Sequence, residues 1–506
     1  MRAGRGGIAV SAAKLYFILV GLVQQVALKA VLGLEGYGAL SSALAAASIA
    51  YNPVVTASLQ GVSHAVATAP EAARPSALRR VLRVHALLAL VLATAFWLFA
   101  SPLGALTGAP HIVGALRWLS AVLCAYGLYA PLVGALNGQT RFGTQAALDA
   151  LAATLRTGGL IGGALGLGAY LGSGRGVEGA CAGFVVSSLL VLGVAALQVG
   201  WGSRGAGGPS LRAYTRFIAA ILLGQGLLNL LFQADQLLIR RFSADAALAA
   251  GLAATAADPL VGAYRAVQLF CFLPYQLVLA VSTVLFPLVA KAQREGSNEL
   301  VRTYVAQGNR TALLVTALIT SVTCGLPGPL LTLVFGADSA ALGTAAMGVL
   351  SLGLGCLALL GVFTSLLNSL ERQAISLIVT GLAVVLVVGS CFVKARGLPL
   401  GAELLWQAAC STSLALFLAT GVAGACLRRT AGVVLELGSS LRILVALGGA
   451  VTLARSLPAP SKLLTPVWCA AVAATYVALL LVLRELDGRD LQRVRKLVAP
   501  RRARLD

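Results

Sequence analysis

Apolar segments of membrane-spanning length recur along the whole chain. A helix that crosses the hydrocarbon core of a bilayer needs about 20 apolar residues, and this sequence contains fourteen such segments. Only 11% of the residues are charged, against roughly 25% in soluble domains. The sequence therefore predicts an all-α polytopic membrane protein with about 14 transmembrane helices. The segments lie approximately at residues 8–32, 38–62, 84–107, 112–136, 144–170, 177–200, 217–240, 262–289, 311–335, 340–368, 374–394, 402–426, 441–457 and 464–483.

Basic residues are concentrated in alternate connections between these segments. The net charge of +21 is of a size found in nucleic-acid-binding proteins, but 26 of the 38 Lys and Arg residues fall on one side of the predicted helices and 7 on the other. This asymmetry is the orientation signal of inner-membrane proteins. It predicts a multi-pass protein of the cytoplasmic membrane with both termini in the cytoplasm, and it argues against a nucleic-acid partner.

Two halves of the sequence echo each other. Helix 4 ends in Leu136-Asn137 followed by Arg141, and helix 10 ends in Leu367-Asn368 followed by Arg372. A looser echo relates Glu35–Gly38 to Val261–Tyr264. The echoes predict two six-helix lobes, a parallel pseudo-repeat around a central cavity. The expected divisions are 1–202 (helices 1–6), 203–430 (helices 7–12), 431–484 (two extra helices) and 485–506 (a basic cytoplasmic tail).

Several predicted helices carry polar side chains along one face. A charge at the bilayer centre costs at least a few kcal/mol, so these residues are expected to face a shared polar cavity. The alternatives are hydrogen bonding between helices for the amides, and extension to the interface for charges near helix ends, such as Lys14, Lys29 and Arg117. Arg also suits phosphate oxygens because its donors form a planar fork. The predicted substrate-binding residues are Lys14, Gln25, Lys29, Asn52, Arg117, Arg156, Gln233, Arg265 and Gln276.

Two acidic residues, Asp149 and Asp235, lie within predicted spans. Either is a candidate carrier of a coupling H+ or Na+, and a salt bridge to a cavity arginine is the alternative. No other cofactor, no metal site and no catalytic residue is predicted. The nine cysteines and three histidines lack ligand spacing, and the GxGxxG match at Gly174–Gly179 lies between two spans with no strand before it.

Short motifs at the helix ends resemble those of a transporter superfamily. They are Leu34–Gly38 after helix 1, Leu136–Gly138 with Arg141-Phe142 after helix 4, Asp235–Ile239 in helix 7, Val261–Tyr264 opening helix 8 and Leu285–Pro287 closing it. In order and spacing they are similar to the multidrug/oligosaccharidyl-lipid/polysaccharide exporter superfamily, in its bacterial polysaccharide-flippase branch. The resemblance covers roughly residues 8–430.

The resemblance implies a flippase that moves undecaprenyl-pyrophosphate-linked oligosaccharide units across the cytoplasmic membrane by alternating access, for surface polysaccharide assembly. The expected partners are this lipid-linked glycan, membrane lipids, and a polysaccharide polymerase with its export machinery. The alternatives are a peptidoglycan-precursor (lipid II) flippase, a multidrug antiporter, and a membrane polysaccharide polymerase or ligase. Two features depart from the pattern: Ser243–Pro259 is interpreted as an insertion, and the Arg-rich N-terminal signature expected of a lipid II flippase is missing.

Overall fold

Helices account for every regular element of the part of the chain that the structure describes. The structure is a computed structural model, and it describes residues 2–167, 170, 175–203, 210–458 and 460–486. The α-helices are α1 (Arg2–Thr68), α2 (Arg74–Leu98), α3 (Ala100–Leu106), α4 (Val113–Gly138), α5 (Phe142–Gly162), α6 (Gly176–Val199), α7 (Leu211–Ala249), α8 (Asp258–Cys271), α9 (Leu273–Arg294), α10 (Asn298–Gly325), α11 (Pro327–Phe335), α12 (Ala337–Ser369), α13 (Gln373–Lys394), α14 (Ala402–Ala431), α15 (Leu437–Ser456) and α16 (Thr465–Val482).

The prediction of a polytopic all-α membrane protein is confirmed. Within the described residues, eleven helices are long and apolar enough to cross a membrane, and a twelfth span results if α10 and α11, bent by 79°, count as one. The prediction of about 14 spans counts two segments of the kinked α1 separately and includes the shorter α5. Each of the fourteen predicted segments therefore corresponds to a helix, while the exact number of spans depends on how kinks are treated.

The first helix is broken at Gly33. This residue has φ 69° and ψ 178°, a conformation that glycine adopts at little steric cost. The segments before and after it, residues 2–32 and 34–68, are called α1a and α1b below. The predicted connection between helices 1 and 2, residues 33–37, is wrong in part, because Glu35–Tyr37 are helical and form the first turns of α1b. The interpretation of Ser243–Pro259 as an insertion stays a prediction; α7 continues through the first part of this segment to Ala249.

The chain divides into two compact units. The first comprises Met1–Ala266 and Val387–Ala408, and the second Val267–Leu386 and Ala409–Asp506. These units do not follow the predicted lobes at 1–202 and 203–430, since α7 and most of α8 group with the first six spans. Compactness and internal repetition are different properties of a chain, so the predicted lobes remain a prediction.

In the first unit, α1b packs against α4 and α7, and α6 packs against α4 and α5. The helices α1b and α8 approach each other at a pair of glycines. A Cβ on Gly38 would lie 1.9 Å from the carbonyl oxygen of Asp258, and a Cβ on Gly262 would lie 2.5 Å from that of Leu34. Small residues permit such backbone contact between membrane helices. Gly38 and Gly262 belong to the two sequence segments that echo each other, and these segments pack directly together.

In the second unit, α9, α10 and α12 pack together, and α15 and α16 pack against α10. The bend between α10 and α11 leaves carbonyl groups without helical partners. Arg455 satisfies one of them, because its Nε and a terminal nitrogen donate to the Cys324 oxygen at 3.1 and 3.0 Å. A side chain from α15 thus stabilises a bend that a membrane would otherwise disfavour.

A buried carboxylate fastens the last two helices to α10. Glu485 is 4% exposed. It accepts a hydrogen bond from Arg310 Nε at 2.7 Å and one from the Ser439 hydroxyl, and its other oxygen lies 3.5 Å from Arg442. Burial raises the pKa of Glu485, but the bonds from Ser439 and Arg310 and the charges of Arg310 and Arg442 outweigh it and hold this pKa below its usual value.

We expect Gly38→Ala to destabilise the protein by about 1–3 kcal/mol, the usual cost of overpacking. The added methyl group meets the backbone of α8, which cannot rotate away as a flexible side chain would. The apparent melting temperature in detergent measures the effect. The control is Gly193→Ala in α6, where a Cβ would meet nothing within 4 Å. Equal melting temperatures of the two variants would contradict a tight contact between α1b and α8.

We expect Glu485→Gln to lower the melting temperature at pH 7, since two arginines lose their counter-charge at a buried position, at a cost of about 1–3 kcal/mol. A depressed carboxyl pKa stabilises the folded protein above the pKa of the unfolded chain, and this contribution is lost as pH falls through the folded value. The stability difference between the variant and the wild type should therefore be constant at neutral pH and shrink as pH falls below the usual pKa of a glutamate, about 4.3. Glu295→Gln is the control, because its pair with Lys291 is exposed. A constant difference at all pH values would contradict the assignment.

Candidate functional site

The polar side chains of the first unit meet across the kink in α1. The Tyr37 hydroxyl of α1b donates a hydrogen bond of 3.0 Å to Gln25 Oε1 of α1a, and both residues are buried. The preceding residue, Gln24, accepts a hydrogen bond of 3.3 Å at its Oε1 from the Thr157 hydroxyl of α5. Two consecutive amides of α1a therefore hydrogen-bond to two other segments, α1b and α5.

Asp235 is a buried acid on α7, with 3% of its surface exposed. The Tyr264 hydroxyl donates to its Oδ2 at 2.5 Å, and the backbone N–H of Gln236 donates to its Oδ1 at 2.8 Å. Two short bonds to a carboxylate stabilise its charged form in an apolar environment. Tyr264 is the last residue of the Val261–Tyr264 motif, so that motif supplies a partner for the acid.

Arg156 lies half-buried on α5 with its guanidinium 5.0 Å from the centre of the Phe184 ring. Its Nε is buried and has no hydrogen-bond partner among the described residues. A buried donor without a partner costs about 1–3 kcal/mol, while the aromatic ring compensates part of the charge. This nitrogen is a donor that an oxygen atom of a ligand would satisfy.

Two side-chain amides on α7 also have buried atoms without a hydrogen-bond partner among the described residues. The Gln236 side chain is 0% exposed, and within the described part of the chain neither its Oε1 nor its Nε2 has a hydrogen-bond partner. The Oε1 of Gln233 is likewise buried and without a described partner. Three side chains on α5 and α7, those of Arg156, Gln233 and Gln236, thus each have at least one buried polar atom without a described hydrogen-bond partner.

The remaining predicted residues of this unit have partners. The Asn52 amide donates to Asn229 Oδ1 at 2.9 Å, joining α1b to α7. Lys29, Asp149 and Arg265 are half-buried and each takes part in an interaction. The alternative of hydrogen bonding between helices, weighed for the amides in the sequence, therefore describes Asn52 and Gln25.

Two of the predicted site residues are exposed, and the side chain of a third lies outside the described residues. Arg117 is exposed, with its guanidinium 5.4 Å from the centre of the exposed Trp97 ring and 3.4 Å from the Ser101 hydroxyl. Aromatic and basic side chains in such contact are typical of the membrane interface. Gln276 is exposed and belongs to the second unit. The Lys14 side chain lies outside the described residues.

The described interior keeps a basic excess. Lys29, Arg156 and Arg265 carry positive charge, while Asp149 and Asp235 carry negative charge. By residue type this is three basic against two acidic side chains; of the other basic residues predicted for the site, Arg117 is exposed and the Lys14 side chain lies outside the described residues. No group of three or more His, Cys, Asp or Glu residues is arranged for a metal in the part of the chain that the structure describes.

Sequence reasoning missed the tyrosines that organise this interior. Tyr37 and Tyr264 add little polarity to a hydropathy pattern, although each carries a hydroxyl that needs a partner when buried. The available signal was their position, since both lie within the motifs that echo each other. Gln236 was also passed over, although it follows Asp235 directly.

A family model for polysaccharide biosynthesis proteins matches residues 3–293. The chain belongs to this family. The match covers more than half of the sequence and includes both echoing motifs, α5 and the polar face of α7. A search among curated proteins finds no match.

Solved structures of the same superfamily share the fold. The inward closed conformation of the lipid II flippase MurJ aligns with a TM-score of 0.72 at 14% identity, over 96% of this chain and 100% of that one. An inward-facing multidrug resistance MATE family transporter aligns with a TM-score of 0.65 at 15% identity, over 84% and 98%. The Vibrio cholerae MATE transporter VcmN in its bent form aligns with a TM-score of 0.57 at 16% identity, over 85% of this chain and 98% of that one. The resemblance to the exporter superfamily is confirmed, and this family member has the fold of its transporters and flippases.

We expect Tyr264→Phe to destabilise the protein by about 1 kcal/mol or more, because buried Asp235 loses a short hydrogen bond. The apparent melting temperature measures the loss. Tyr170→Phe is the matched control, since Tyr170 is 89% exposed. If Tyr264→Phe has the melting temperature of the wild type while Tyr264→Ala has a lower one, the aromatic ring and not the hydroxyl supports Asp235.

Proposed function

We propose that this protein is a flippase for undecaprenyl-pyrophosphate-linked oligosaccharide units, which it moves across the cytoplasmic membrane by alternating access for surface polysaccharide assembly. Its termini lie in the cytoplasm. The observation that supports the proposal is the buried Nε of Arg156, which has no hydrogen-bond partner among the described residues. The family match adds the cargo class, since its members serve polysaccharide biosynthesis.

The proposed cargo has a charged, hydrogen-bonding head group and an apolar polyprenyl chain. A pyrophosphate carries negative charge and several acceptor oxygens, and a guanidinium binds such groups in a charge-assisted, directional way. Arg156 and Arg265 would hold the pyrophosphate or acidic sugars, while the amides of Gln233 and Gln236 would hydrogen-bond to sugar hydroxyls. The polyprenyl chain would stay in the bilayer. Moving the head group across is the costly part, because a charge in hydrocarbon is unfavourable.

A lipid II flippase is the second candidate. It is favoured by the alignment with MurJ over 96% of this chain. Both cargoes carry a polyprenyl pyrophosphate, so the cationic interior serves either one. The family match to polysaccharide biosynthesis favours the first.

The remaining alternatives fit less well. A multidrug antiporter that exports cations should have an acidic interior, and the described interior is basic. A polymerase or ligase needs a large outer loop to hold the glycan. The longest outer connection that the sequence predicts, Arg241 to Val261, is too short for this, and it is shorter still in the structure, where α7 runs to Ala249 and α8 starts at Asp258.

A coupling ion would act at Asp235. Its carboxylate is buried, and the adjacent Gln236 oxygen has no partner among the residues described. Protonation would remove the negative charge of Asp235, whereas Na+ would need the Asp235 carboxylate and the Gln236 side-chain oxygen as ligands. Dependence of flipping on a proton gradient or on a sodium gradient distinguishes the two.

The test uses proteoliposomes that contain a fluorescent undecaprenyl-pyrophosphate oligosaccharide, with a membrane-impermeant quencher reporting its flipping. We expect Arg156→Ala to lower the initial rate about tenfold or more, because a charge-assisted hydrogen bond is worth about 1.5–3 kcal/mol. Arg156→Lys should retain part of the rate. Arg117→Ala is the matched control, an exposed arginine of the same unit, and its rate should stay within twofold of the wild type.

Three cargoes separate the candidate functions in the same assay. The oligosaccharide carrier should be flipped faster than labelled lipid II, and a cationic dye should not be moved. If Arg156→Ala flips as fast as the wild type at equal protein incorporation, the proposed site is wrong. If lipid II alone is flipped, the second candidate replaces the first.

A further inference from the structure

A second polar cluster of the first unit lies where α7 and the segment before α4 meet the first residue of α8. Its centre is Asp258, the first residue of α8, which is 1% exposed. Arg240 donates to Asp258 Oδ1, and His111 Nε2 lies 3.0 Å from Oδ2. We call Asp258, Arg240 and His111 the Asp258 cluster.

Arg240 is more deeply buried than its sequence position suggests. It lies in a segment where the sequence favours extension to the membrane interface, yet it is 0% exposed. Besides Asp258, its guanidinium donates to the carbonyl oxygens of Gly108 and Ala254, each at 3.1 Å. A buried ion pair of this kind is costly to break, because each partner left alone is an uncompensated charge.

The cluster joins segments from the two predicted lobes. Gly108 and His111 precede α4 in the first lobe, whereas Arg240 and Asp258 belong to the second. Asp258 also makes the close backbone contact with Gly38 of α1b. Any motion that separates these lobes here must break the ion pair, the His111 contact and the glycine contact together.

A cavity of about 650 Å³ borders the cluster, and His111 and Asp258 contribute to its lining. The His111 side chain is 28% exposed, so protons can reach it. The other charged groups that line the cavity are Glu35 on α1b, Arg175 before α6 and Glu178 in the first turn of α6. On α7, Arg241 pairs with Asp245 at 3.0 Å and donates to the Ala105 oxygen.

We propose that the Asp258 cluster is a proton-responsive latch that holds this end of the transporter closed, with His111 as its proton-binding group. The proposal rests on the proposed alternating-access function and on the predicted orientation, in which this end faces outward. It concerns conformation, so it can fail while the cargo assignment stands.

Charge and linkage give the direction of the response. With His111 neutral, Arg240 and Asp258 balance each other. A proton on His111 adds a charge-assisted bond to Asp258; the added positive charge then lies near the cations Arg240 and Arg175 as well as the cavity acids Glu35 and Glu178. Opening moves the carboxylate away from the imidazole, so the closed conformation binds the proton more tightly. By reciprocity, a proton favours closure. Imidazole groups titrate between about pH 5 and 8, so external acid should return the empty carrier to its outward-closed form.

The test measures opening directly, without cargo. Ala39→Cys places a thiol in the wall of the cavity, where the residue is 5% exposed in the closed form. A membrane-impermeant, permanently charged thiosulfonate reagent is added from outside to the full-length protein in proteoliposomes. Rates are corrected for thiol ionisation with a fully exposed cysteine. We expect the corrected rate to be at least threefold lower at pH 5.5 than at pH 8.

Variants identify the group that responds. His111→Gln keeps an N–H donor but cannot gain a proton, so its rate should be independent of pH and close to the wild-type rate at pH 8. Asp258→Asn should react faster than the wild type at both pH values. His64→Gln is the matched control, because His64 is exposed and packs on Phe217 away from the cluster. It should keep the wild-type profile.

Two results would overturn the latch. One is a wild-type pH profile in His111→Gln. The other is an unchanged labelling rate in Asp258→Asn at normal monodispersity. If Asp258→Asn fails to fold, the His111→Gln profile alone decides. Normal flipping with a pH-independent labelling rate would reject the latch and leave the proposed function intact, whereas a pH-responsive latch in a protein that flips no polyprenyl cargo would reject only the cargo.

Discussion

The backbone contact between α1b and α8 determines where the polar groups of the first unit lie. Gly38 and Gly262 allow the two helices to approach until main-chain atoms touch. This approach brings the first turn of α8 to the start of α1b, and it sets Tyr37 and Tyr264 at the depths where they meet Gln25 and Asp235. Close packing in a membrane depends on small residues, because no difference in hydrophobicity between helix and lipid drives helices together. Replacing a hydrogen at either glycine would therefore shift several hydrogen bonds at once.

Much of the fold could be predicted because it follows from a solvent constraint. A bilayer admits helices of about 20 apolar residues, so the length of each apolar segment indicates a span and the positive charges indicate its orientation. The kink at Gly33 was misplaced by a few residues, since Glu35-Gly36-Tyr37-Gly38 has the composition of a turn. The position of the kink is set by the positive φ at Gly33. Because Gly36 and Gly38 lie nearby, the sequence does not specify which of the three glycines adopts this conformation.

The site was less predictable, because a polar stripe identifies a face of a helix but not what that face meets. The sequence predicts both Arg156 and Arg117 to line the cavity, with extension to the membrane interface as the alternative for Arg117. The structure gives Arg156 a half-buried position against Phe184 and gives Arg117 an exposed one against Trp97. The partner ring lies on another helix in each case, and helix neighbours are a tertiary property. The hydroxyls of Tyr37 and Tyr264 escaped notice for a related reason, since their polarity matters only once burial removes water.

The contacts of Glu485 with Arg310, Ser439 and Arg442 have a consequence for the synthesis of the protein. Arg310 and its partner are 175 residues apart, and ribosomes add roughly 5–20 residues per second. Arg310 therefore remains without this carboxylate for roughly 10–35 s after it is synthesised, and Ser439 and Arg442 for a shorter time. The second unit can complete this junction only after Glu485 has been synthesised. Until then, the two arginines at the edge of α10 and α15 have no counter-charge from this carboxylate.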